Sequence, residues 1–105
     1  MIDRIDHFVL TVRPLEPSCR FCERVLGFER LDAPGRPTAL TFGRQKINLH
    51  EVGHTSEPKA SAPTPGAGDF CLITTDPIEQ IHVHLLACGI VVEAGRSRGM
   101  ALRAR

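Results

Sequence analysis

The chain has 105 residues, with 13 basic and 12 acidic side chains for a formal net charge of +1. That balance offers no electrostatic reason to expect a nucleic acid or another polyanion as partner. No apolar run approaches the roughly 20 residues of a membrane span, and the opening Met1-Ile2-Asp3-Arg4 lacks the apolar stretch of a secretory signal, so a cytoplasmic protein is expected.

Taken in order, Ile5 to Val12 is β-branched and aromatic, and short enough to be a strand. Pro14 and Pro17 open a segment, Leu15 to Leu26, of helical period, and Gly27 supplies its stop. Three extended segments follow: Phe28 to Leu31, Thr38 to Phe42 and Lys46 to Val52. Turns at Pro34-Gly35 and Gly43-Arg44-Gln45 separate them. Together these predict one βαβββ unit over about residues 1–53. Residues 54–68 are rich in Pro, Gly, Ser, Thr and Ala and read as a linker.

A second unit then starts over about residues 69–105. Asp69 to Thr74 reads as its strand, Asp76-Pro77 as a helix start with Asp76 as N-cap, and Gly89 as the helix stop. Ile90 to Glu93 opens a further strand. His7 to Gly27 and Asp69 to Gly89 each span 20 positions, so the halves overlay with a constant offset of 62. Phe8 then meets Phe70, and Leu10 meets Leu72. A supersecondary unit repeated in register is strong information about fold. The expectation is one α+β domain of paired βαβββ units, with the second C-terminally incomplete. Gly95 to Arg105 carries four arginines in 11 residues without interleaved aromatics, and is expected to be solvated rather than to bind nucleic acid.

Four cysteines occur. Leu15, Cys19, Cys22 and Leu26 are spaced as one helix face, so Cys19-x-x-Cys22 is expected to pack rather than bind metal. His54 at the linker edge and His82 and His84 on the second helix are expected to be ordinary surface or helix residues.

Strand alternation sorts the remaining polar groups. Phe8, Leu10, Val12, Ile47, Leu49, Phe70 and Leu72 fall on the more apolar faces, suited to helix packing. His7, Asn48, His50 and Asp69 fall on the opposite ones. Lining a concave sheet, imidazole, amide and carboxylate groups would suit a divalent cation. A two-histidine, one-carboxylate set would suit Fe(II) oxygen chemistry. Spacing alone equally allows polar residues bonded to backbone or water.

The segments Ile5-Asp6-His7-Phe8-Val9-Leu10-Thr11-Val12, Cys22-x-x-Val25-Leu26-Gly27-Phe28 and Lys46-Ile47-Asn48-Leu49-His50-Glu51 resemble the vicinal oxygen chelate superfamily. So does Glu57-Pro58-Lys59-Ala60 followed by Pro63-x-Pro65-Gly66. The resemblance extends over roughly Ile2 to Gly95, and the small glyoxalase-domain proteins are its nearest group. It implies a metal held between two units by residues of their first and last strands: His7 on the first, Asn48 or His50 on the fourth, and Asp69 where a histidine is usual. The set His7, His50 and Asp69 is the one expected here, and the usual last glutamate has no counterpart within 105 residues. The resemblance implies chelation of two neighbouring oxygens of a small-molecule substrate. In a ring-cleaving dioxygenase the metal would be Fe(II); in a glyoxalase-like lyase it would be Zn, Ni or Mn. A binding module of the bleomycin-resistance type is the non-enzymatic alternative. A homodimer or larger homo-oligomer is expected to complete the cleft, because an unfinished second unit leaves a sheet edge open.

Overall fold

A computed structural model describes residues 1–55, 57–94 and 103–104. The chain divides into two compact units, Met1–Gly68 and Asp69–Arg105.

The first unit is a four-stranded mixed sheet crossed by one helix. Its elements are β1 (His7–Val12), α1 (Leu15–Arg24), β2 (Glu29–Leu31), β3 (Thr38–Phe42) and β4 (Gln45–Glu51), in the sheet order β1-β4-β3-β2. β1 runs parallel to β4, with His7 beside Lys46 and Thr11 beside His50. Parallel neighbours need a long connection, and α1 with β2 and β3 supplies it. β3 and β4 form an antiparallel hairpin closed by Gly43-Arg44, where Phe42 faces Gln45. Gly43 sits at φ 53°, the left-handed geometry that lets a two-residue loop match the strand twist.

One face of this sheet carries the core. Cys19, Phe28, Leu40, Ile47 and Leu49 are buried together, and Phe8, Leu10, Val12, Leu15, Cys22 and Phe42 pack on them. The period-two pattern of β1 and β4 therefore places their apolar side chains on the helix side, as alternation requires. Phe28 and Phe42 stack with ring centroids 4.3 Å apart and planes 12° apart. Cys19 and Cys22 belong to this packing, and no disulfide joins them. Burial pushes the Cys22 thiol up to about 11, and it also raises Cys19.

The start of α1 is held from a distance. Pro14 offers no side-chain cap. Instead the Glu51 carboxylate, at the end of β4, accepts the Leu15 N–H at 2.9 Å. A carboxylate is well placed at the positive end of a helix. Arg30 of β2 donates to both carboxylate oxygens of Glu16, each at 2.9 Å, and its Nε donates to Asp32.

The second unit contains α2 (Ile78–Ala87) and a short antiparallel pair, β5 (Val92–Ala94) with β6 (Arg103–Ala104). α2 ends as its glycine predicts. Gly89 adopts φ 76°, the Gly89 N–H donates to Leu86 and the Ile90 N–H to Leu85, which is the Schellman arrangement.

Two expectations need correction in this unit. Asp69 to Thr74 is not a strand. β propensity alone does not make a strand, because its backbone groups also need a ladder to bond with. Asp76 is not the helix N-cap: Pro77 holds that position, without a side-chain cap. Within the arginine-bearing tail, Arg103–Ala104 pair with β5, a strand contact that the sequence pattern does not show. Residues 95–102 and 105 of that tail lie outside the described residues. Among the described residues no helix is long and apolar enough to cross a membrane.

Candidate functional site

The sheet face turned away from the core is the candidate site of the first unit. Ile47 and Leu49 point to the core, so Lys46, Asn48 and His50 point the other way. On β1, His7, Val9 and Thr11 do the same. Ala39 and Thr41 of β3 stand opposite Asn48 and Lys46 on that side.

The two histidines here have different environments. His7 opens β1 with its side chain 43% exposed, and its Nδ1 lies 2.8 Å from Asp6 Oδ2. The hydrogen bond to His7 holds the Asp6 carboxyl below its ordinary value, helped by the charges of His7, Lys46 and Arg4. A carboxylate bonded to one ring nitrogen fixes the tautomer and leaves Nε2 as the free lone pair. Asp6 was missed from the sequence, though its adjacency to His7 was the signal. His50 is instead 4% exposed, and its Nδ1 is enclosed without a hydrogen-bond partner among the described residues. Enclosing a polar atom without a partner costs about 1–3 kcal/mol.

Register sets the spacing of candidate donors. His7 is level with Lys46, so Asn48 lies two positions along the strand and His50 four. At about 3.3 Å per residue these steps are roughly 7 and 13 Å. Atoms bound to one metal ion lie within about 4 Å of each other, given bonds near 2 Å. In this register Asn48 is the β4 side chain nearer to His7, and His50 lies further along the strand. Asp69 is an exposed residue at the start of the second unit. Among the described residues no three His, Cys, Asp or Glu side chains gather closely enough to hold a metal. His7 fits a donor role in the first unit, whereas Asp69 belongs to the second.

His54 and His84 are exposed, as expected of surface residues. His84 Nε2 lies 3.7 Å from Cys88 Sγ one turn along α2. A shallow depression on α1, lined by Pro17, Arg20, Phe21, Glu23 and Arg24, contains none of the candidate residues.

Comparison with known proteins fits this βαβββ sheet. Residues 4–103 match the family model described as Glyoxalase/Bleomycin resistance protein/Dioxygenase superfamily. The chain belongs to that superfamily. It is 48% identical over 95 residues to the virulence protein STM3117 of Salmonella typhimurium, covering 90% of this chain and 66% of that protein. The crystal structure of STM3117 superposes with a TM-score of 0.87 at 44% identity, covering 99% of this chain and 85% of that one. The glyoxalase domain-containing protein RDO1 of Mycosarcoma maydis is 40% identical over 91 residues, covering 87% of this chain and 51% of that protein. The chain thus spans about two thirds and one half of these relatives. Lactoylglutathione lyase from Agrobacterium tumefaciens superposes with a TM-score of 0.72 at 25% identity, covering 98% of this chain and 84% of that one.

Proposed function

We propose that the sheet face bearing His7, Asn48 and His50 receives a small molecule with two neighbouring oxygens. The reaction is metal-dependent extradiol cleavage of a catechol-type aromatic such as 2,3-dihydroxybiphenyl, with Fe(II) as the ion. His7, His50 and Asp69 are the donors that the superfamily resemblance implies, and the β1–β4 register favours Asn48 over His50 beside His7. The observation carrying the proposal is this polar face within a superfamily scaffold, with His7 held by Asp6 so that Nε2 is free.

Two further readings have observations of their own. Likeness to a lactoylglutathione lyase supports a glyoxalase-type isomerisation using Zn, Ni or Mn. The stagger of His7 and His50 supports a binding module that takes its ligand without an ion. The protein acts as a homodimer or larger homo-oligomer, since apolar side chains of the second unit such as Ile73 and Val83 stand in solvent.

Anaerobic loading with Fe(II), followed by 2,3-dihydroxybiphenyl and air, tests the first reading. Yellow ring-fission product, abolished by His7→Ala, is the expected result. No product, with isomerisation of a glutathione hemithioacetal after loading with Zn, Ni or Mn, replaces it with the lyase. No metal uptake with the aromatic still bound replaces it with the binding module.

A further inference from the structure

His84 and Cys88 sit one turn apart at the C-terminal end of α2, and the backbone fixes them side by side. The Cys88 N–H donates to the His84 carbonyl at 3.0 Å, and the Gly89 and Ile90 N–H groups close the turn onto Leu86 and Leu85. Leu85 is buried, whereas His84 is exposed and Cys88 half-buried. Residues four apart on a helix are neighbours on its surface. His84 Nε2 and Cys88 Sγ accordingly lie 3.7 Å apart. Bonds to one zinc ion of roughly 2.3 Å from sulfur and 2.0–2.1 Å from nitrogen, at a tetrahedral angle, put the two ligand atoms about 3.6 Å apart. The pair already stands at the separation that one ion requires. The negative end of the helix dipole lies here too, where a cation is favoured.

We infer that His84 and Cys88 form a two-ligand surface site for a thiophilic divalent cation of the zinc type. Thiolate with imidazole selects such ions over Mg²⁺ and Ca²⁺, which take oxygen ligands. On binding, the Cys88 S–H bond breaks, its proton passes to water, and the thiolate sulfur bonds the ion. His84 supplies the lone pair of Nε2, the ring nitrogen that faces the sulfur. Among the described residues no third His, Cys, Asp or Glu side chain joins them, so the remaining positions on the ion are left to water. The other cysteines are placed differently. Cys19 and Cys22 pack in the core of the first unit, and the Cys71 thiol donates to the Leu72 carbonyl. The site lies wholly in the second unit and uses no residue of the sheet face that carries His7.

The test titrates the reduced full chain with Cd²⁺ under anaerobic conditions, in a Cys71→Ser background that removes the exposed thiol outside the pair. The ultraviolet sulfur-to-cadmium charge-transfer band reports thiolate coordination, so ions held by His7 or by carboxylates do not contribute to it. A saturable band is expected, displaced by Zn²⁺ and untouched by Mg²⁺. Adding Cys88→Ser is expected to abolish the band, and adding His84→Ala to weaken Cd²⁺ affinity by about tenfold or more. No band in the folded Cys71→Ser protein would leave the pair as a hydrogen bond only and overturn the inference. A band that survives Cys88→Ser would overturn it as well, as would an affinity unchanged by His84→Ala. Imidazole NMR of the wild type provides an independent check. Zn²⁺ is expected to shift the His84 ring resonances in the wild type and not in Cys88→Ser; unshifted resonances in the wild type, or equal shifts in both proteins, would overturn the inference.

Discussion

At the scale of single residues, ionisable groups report the environment each side chain has found. The Cys22 thiol, raised by burial to about 11, stays protonated at neutral pH. In the unfolded chain it returns to its ordinary value, 9.0. The folded state therefore holds the extra proton between those values. The contribution is complete below pH about 9 and is lost as pH rises toward about 11. Urea unfolding at a series of alkaline pH values should show this decline, and Cys22→Val should flatten it. Thiol labelling at neutral pH should modify exposed Cys71 first and buried Cys19 only on unfolding. Glu16 runs the other way. Arg30's hydrogen bond and charge hold its carboxyl below the ordinary 4.5. The ion pair's contribution is present above that value and lost as pH falls through the lowered one. Glu16→Gln should remove this acid-side slope, whereas a Glu16→Gln slope equal to wild type would show the pair to be idle.

At the scale of elements, the cap on α1 comes from outside the helix. Leu15 N–H has Glu51, 36 residues later, as its acceptor. Glu51→Ala should cost about 1 kcal/mol, and Glu51→Gln, which keeps the acceptor and loses the charge, a smaller amount. Urea denaturation measures both; equal and negligible losses would remove the cap from the account. Leu40 is fully enclosed between α1 and the sheet. Leu40→Ala should cost about 2–5 kcal/mol, a large fraction of a small domain's stability.

At the scale of the whole molecule, the first unit has a four-stranded sheet and a shared core. Among its described residues the second has one helix, a short strand pair, and apolar side chains in solvent: Ile73 at 96% exposure, and Val83 and Leu86 on α2. Solvent-facing apolar groups of this size favour association. Light scattering at micromolar concentration should give a dimer or larger species. Ile73→Lys with Val83→Asp should shift it toward monomer without lowering the first unit's stability. A wild type that is already monomeric would count against the assembly.

What the amino-acid order determined by itself is what depends on neighbours in sequence. Alternation along Ile5 to Val12 and Lys46 to Val52 separated the core face from the His7 and His50 face. The spacing of Leu15, Cys19 and Cys22 placed both cysteines against the core, and Gly89 ended α2. The elements of the first unit were legible for that reason, and so was the superfamily. Pairing across the sheet was not, because it depends on which strands lie side by side. Only the tertiary structure staggered His7 and His50 by four positions, bringing Asn48 nearer to His7 than His50 is. Only it set Glu51 at the head of α1. Asp69 to Thr74 had every local mark of a strand, yet a strand exists only with a partner to accept its hydrogen bonds, and that condition lies outside the segment itself.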